Sequence, residues 1–82
     1  MDDIDIEILK AMDTATDDVL KIEDINAHLQ SPLDIRELQN RLEILERTMY
    51  AGTLKNESKS GSGVYAAGIT AFGRQFLREP NR

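Results

Sequence analysis

The sequence predicts a small α+β domain, mainly helical, with a three-helix core, a β-hairpin and a C-terminal helix. Three observations carry this. Ile35, Leu38, Leu42 and Leu45 recur at spacings of three and four residues, the pattern of a helix with one buried face. Two β-favouring stretches, Met49 to Lys55 and Val64 to Ile69, follow at once and flank a Ser/Gly-rich tip over 58–63. Thr70 then precedes a last amphipathic segment holding Phe72, Phe76 and Leu77.

The first helix is expected from about Asp3 to Thr14, capped by Asp2 or Asp3, whose carboxylates suit the positive end of a helix. Ile4, Ile8, Ala11, Met12 and Ala15 share one stripe, with Leu9 at its edge. Ile6 lies outside it, and either widens the buried face or meets a second subunit. Val19 and Leu20 supply a very short strand. A second helix follows from Ile22 or Glu23 to Gln30, burying Ile22, Ile25 and Leu29 and leaving His28 on the surface.

The third helix is expected to open at Ser31-Pro32, with Ser31 as cap, Pro32 in the first helical position and Asp34 in the first turn. Two helices joined by so brief a turn form a helix-turn-helix candidate. Opposite its apolar seam stand Leu33, Arg36, Glu37, Asn40, Glu43, Ile44 and Arg47. Arg and Asn are shaped for two-pronged contacts with guanine and adenine edges, whereas Glu37 and Glu43 repel phosphates. Leu33 and Ile44 lack an obvious place in the core and would suit thymine methyls or a protein partner.

The hairpin, about 49–69, contains Ala51, Gly52, Ala66, Ala67 and Gly68, all weak strand formers, so packing must hold it. Its tip carries Lys59 near Lys55, against Glu57. Thr70 caps the last helix, from about Ala71 to Glu79, with Phe72, Phe76 and Leu77 on the buried side. Gly73 within it costs roughly 1 kcal/mol relative to Ala, which points to close packing there. Pro80 ends the helix and the tail 80–82 is expected to fray.

Composition narrows the function classes. With 82 residues, 40% of them hydrophobic, the chain suffices for one domain over 1–82. The absence of Cys excludes disulfides, thiolate zinc sites and a cysteine nucleophile. The lone His has no evident partner, and no Gly-rich phosphate loop precedes a helix. No catalytic residue, metal site or cofactor is therefore expected, and the chain is not read as an enzyme. No apolar run nears the roughly 20 residues of a membrane span, and Met1-Asp2-Asp3 is acidic where a signal peptide is basic. A soluble, cytoplasmic protein is the expectation.

A net charge of −5 and a pI near 4.7 argue at first against a polyanionic partner. The distribution argues otherwise. Residues 1–34 carry −8 and residues 35–82 carry +3, so the helix-hairpin-helix portion is the positive one.

This succession resembles the winged helix-turn-helix domain of bacterial and archaeal transcriptional regulators. The resemblance rests on Ile25-Asn26-Ala27-His28-Leu29, on Ser31-Pro32 with Ile35, Leu38 and Arg41-Leu42-Glu43 to Leu45, and on Ile69 to Leu77. The last piece is similar to the Thr-x-x-Gly-(Arg/Lys)-x-x-Leu phrase that follows the wing in such proteins. The chain departs from the pattern at Asn26, at Arg47-Thr48-Met49 in place of Gly-Leu-Ile, and at the bulky Phe72. The resemblance implies duplex DNA as partner, with helix 3 in the major groove and the wing on the adjacent backbone or minor groove. Its contact set is Arg36, Gln39, Asn40, Arg47, Lys55 and Lys59. So few cations imply a homodimer on two half-sites. The alternative is a protein-interaction winged helix (an adaptor, antirepressor or assembly subunit) meeting its partner through Ile6, Leu33 and Ile44.

Overall fold

The computed structural model describes residues 2–15, 18–56 and 63–79. In order these form α1 (Asp3–Asp13), β1 (Leu20–Lys21), α2 (Ile22–Ala27), α3 (Ile35–Arg47), β2 (Ala51–Lys55), β3 (Val64–Ile69) and α4 (Ala71–Arg78). The strands make one antiparallel sheet in the order β1-β3-β2. β1 pairs Leu20 with Ala67 and Lys21 with Ala66, which fastens the chain entering α2 to the far side of the hairpin.

One core joins the layers. Ile8, Leu9, Ile25, Leu38, Leu42, Leu45 and Val64 are almost wholly withdrawn from solvent. Each such aliphatic side chain contributes on the order of 2 kcal/mol through area removed from water. Leu9, placed at the edge of the α1 stripe by spacing alone, is fully buried because sheet and helices close over it. Ile35 shows the reverse: it continues the α3 seam in sequence but is 40% exposed in the first turn.

α3 begins three residues later than its N-terminal signals indicate. Ser31, Pro32 and Leu33 are non-helical, and Asp34 is the cap, accepting from the Arg36 amide at 3.2 Å. The cause is Asn26. Its amide donates to the Leu33 carbonyl at 2.9 Å, while its carbonyl oxygen accepts from the Leu33 amide at 2.7 Å. Both Leu33 backbone groups are thereby satisfied outside a helix, and the turn stays extended up to Asp34. Leu33 consequently lies outside α3 and packs, partly buried, against the core. Asp2 does occupy the N-cap position of α1, but its carboxylate makes no capping bond and lies 3.6 Å from Arg41.

The exit from α3 is a Schellman turn: Tyr50 N–H donates to Leu45 O at 2.9 Å and Met49 N–H to Glu46 O at 3.0 Å. Met49 occupies the left-handed position, with φ of 74°, where glycine is the usual residue. It is thus the end of the helix cap, and β2 starts at Ala51 rather than at Met49.

Thr70 caps α4, accepting from Gly73 N–H at 3.0 Å while its hydroxyl donates to Met49 O at 2.7 Å. A Cβ on Gly73 would collide with the Tyr50 carbonyl oxygen, so glycine lets α4 pack directly on the α3 exit. Tyr50 stacks on Phe72 with ring centroids 5.0 Å apart and meets Phe76 edge-on at 5.1 Å. Phe76 and Leu77 are partly buried as expected, but Phe72 is 53% exposed, covering Tyr50 from outside. No helix among the described residues is long and apolar enough to cross a membrane.

Candidate nucleic-acid interface

Burial of Leu38, Leu42 and Leu45 fixes how α3 is rotated, and therefore which residues it offers to solvent. Arg36, Asn40, Glu43 and Arg47 are separated by four, three and four residues and form one row along the outer face. Arg36, Asn40 and Arg47 are exposed, and none has a side-chain partner among the described residues. Asp34 at the helix start fixes the backbone that carries Arg36.

The hairpin is tied to the same helix. Gln39 Nε2 donates to the Val64 carbonyl at 2.8 Å, in a partly buried bond spanning 25 residues. Lys55 Nζ lies 3.4 Å from Glu46 Oε1. Near its far end the hairpin is closed by Asn56 N–H donating to Gly63 O at 2.8 Å, next to a register shift at Leu54/Lys55. Gly63 has φ of 75°, and a Cβ there would lie 2.7 Å from the Asn56 carbonyl oxygen. Lys59 lies outside the described residues.

Of the six DNA-contact candidates, then, Arg36, Asn40 and Arg47 share one face of α3 and have no side-chain partner among the described residues. Gln39 is occupied in holding the hairpin, and Lys55 pairs with Glu46 while its side chain remains 46% exposed. An exposed pair of this kind is worth at most about 1 kcal/mol, so Lys55 is free to turn to another anion.

Arg41 organises the other flank of α3. Its guanidinium lies 3.1 Å from Asp5, 3.3 Å from Glu37 and 3.6 Å from Asp2. Hydrogen bonding to Asp5 raises its pKa above the ordinary value, burial opposes this, and Glu37 adds to the rise. Arg41 is therefore a structural cation that links α1 to α3, its charge shared among Asp5, Glu37 and Asp2. The sequence signal for it is the Glu37–Arg41 spacing of four residues.

The apolar residues considered for a protein partner do not form one surface. Leu33 belongs to the core edge. Ile6, partly buried, lines a hollow with Asp3, Glu7, Lys10, His28 and Gln30. Ile44, 54% exposed, lines a separate one with Asp5, Leu45, Thr48 and Tyr50. His28 is exposed, with Nδ1 2.8 Å from the Asp24 carbonyl oxygen. No group of His, Asp and Glu among the described residues is arranged to hold a metal ion.

No family model matches the chain. No curated protein matches it either. Among solved structures it is similar to a mutant of MarR from E. coli complexed with operator DNA, with a TM-score of 0.70 at 14% sequence identity. The likeness covers 94% of this chain and 51% of that one, so the chain spans about half the length of the MarR chain. The shared architecture is the winged helix, in which α1, α2 and α3 form the helical core and β2–β3 the wing.

Proposed function

We propose that this domain is a DNA-binding winged helix, a small transcriptional regulator that reads duplex DNA with α3 and steadies itself with the wing. The observation that carries the proposal is the row of Arg36, Asn40 and Arg47, which have no partner within the described protein and stand beside a hairpin tied to the same helix. The likeness to a MarR structure complexed with operator DNA supports it at the level of fold. On this reading Arg36, in the first turn, and Asn40, one turn on, contact base edges. Arg47, Lys55 and Lys59 serve the phosphates, and Gln39 acts indirectly by fixing the wing. One copy offers few such cations, so the binding species is a homodimer on two half-sites.

Selection from a random duplex pool at low salt, followed by titration at rising salt, tests this. An enriched motif is expected, with affinity falling as salt rises. Arg36→Ala or Asn40→Ala should relax one position each, while Lys59→Ala should weaken all sequences alike. A pool that emerges without enrichment defeats the proposal.

A second reading, a protein-interaction winged helix, is favoured by Ile44, whose exposed side chain adjoins the Tyr50–Phe72 stack. It predicts that Ile44→Asp leaves the fold and any duplex affinity intact while abolishing capture of a partner. Leu33→Asp, by contrast, should destabilise the fold, because Leu33 packs against the core.

A further inference from the structure

α3 carries three acids, and the structure treats them differently. Glu37 lies 3.3 Å from Arg41, which it shares with Asp5 and Asp2, and Glu46 lies 3.4 Å from Lys55. Glu43 has no partner among the described residues, although Arg47 follows one turn later. It is partly buried in the row between Asn40 and Arg47, on the outer face of the helix.

A carboxylate there opposes sequence-independent binding, because it repels phosphates and can only accept hydrogen bonds. Most base edges in the major groove answer it badly. Guanine offers two acceptors, and thymine offers an acceptor and a methyl group. Adenine sets its N7 acceptor beside its amine, an arrangement that suits Asn or Gln rather than a carboxylate. Cytosine alone presents an amine donor without an adjacent acceptor.

We infer that Glu43 is a specificity-determining residue that accepts a hydrogen bond from the exocyclic amine of a cytosine in the target duplex. The inference rests on the duplex-DNA reading above. Arg36 and Asn40 reward particular bases, whereas Glu43 also penalises wrong ones, lowering background affinity as it sharpens choice.

The test is parallel selection from a random duplex pool with the wild-type protein and with Glu43→Gln, an isosteric change that leaves the buried face of α3 untouched. Circular dichroism checks that both are folded. The wild type should enrich a motif with cytosine at one column. In Glu43→Gln that column should shift toward adenine, which a carboxamide pairs with through two bonds, by a factor on the order of tenfold. Binding to unrelated duplex should tighten at the same time. A wild-type motif that Glu43→Gln leaves unchanged overturns the inference and spares the proposed function. Failure of the wild type to enrich any duplex overturns both.

Discussion

The carboxamide of Asn26 holds both backbone groups of Leu33, donating to its carbonyl at 2.9 Å and accepting from its amide at 2.7 Å. This two-bond clamp, made across seven residues, closes the turn between α2 and α3 and delays the start of α3 to Ile35. Replacing Asn26 by Ala removes both bonds and leaves two partly buried backbone groups unsatisfied. A loss of about 2 kcal/mol is expected, read as a lower urea midpoint at unchanged slope. An unshifted midpoint would show that the turn holds its shape without the clamp.

Met49 should be the easiest site at which to stabilise the protein. Its φ of 74° costs a β-carbon-bearing residue roughly 1–2 kcal/mol, and glycine is freed from that cost. After allowing for the extra flexibility of the unfolded chain, Met49→Gly should gain about 1 kcal/mol. In a domain of this size that raises Tm by roughly 4–8 °C, a shift calorimetry resolves. A lower Tm would contradict the Schellman assignment.

Gly73→Ala should do the opposite of what helix propensity dictates. Mid-helix replacement of Gly by Ala ordinarily gains about 1 kcal/mol. Here the new methyl group meets the Tyr50 carbonyl oxygen, backbone that cannot swing aside. A net loss of roughly 1–3 kcal/mol is expected in thermal unfolding. A stabilised variant would mean that α4 can shift away from the α3 exit at little cost.

Gln39→Met keeps the length of the side chain and removes its amide. The Val64 carbonyl then loses its 2.8 Å donor, and the hairpin its link to the middle of α3. Global stability should fall by about 1 kcal/mol. The Asn56 amide, bonded to Gly63 O, should exchange with solvent roughly fivefold faster as the hairpin loosens. Equal exchange rates in the two proteins would assign the positioning of the wing to the sheet alone.

What could be read from the sequence follows the range of the interactions concerned. The Leu38, Leu42 and Leu45 seam and the Thr70 cap declare themselves within a few residues, and a glycine inside a helix signals close packing at Gly73 though not its partner, Tyr50. Ser31-Pro32 carries good local signals for a helix start, yet Asn26, a residue of the preceding helix, overrides them. Gln39 looks like a base reader because its acceptor, Val64, lies 25 residues away. Met49 gives no sign of a helix cap, since the turn it makes is normally announced by glycine. At the interface, Arg36, Asn40 and Arg47 follow from helical spacing once the buried face is known. The Glu37–Arg41 pair can be read from its spacing of four residues, whereas the pairing of Glu46 needs Lys55 from the hairpin.

The bond from Gln39 to Val64 ties α3 to the start of β3 and sets the gap between the helix and the described part of the hairpin. A tool whose prongs are tied together acts as a gauge. On the proposed reading, a duplex fits only when the separation of its grooves matches that gap, and the work of adjustment falls on the DNA. Stiffness and groove width at base pairs that no side chain touches then become part of the address, and the Gln39–Val64 bond sets the tolerance.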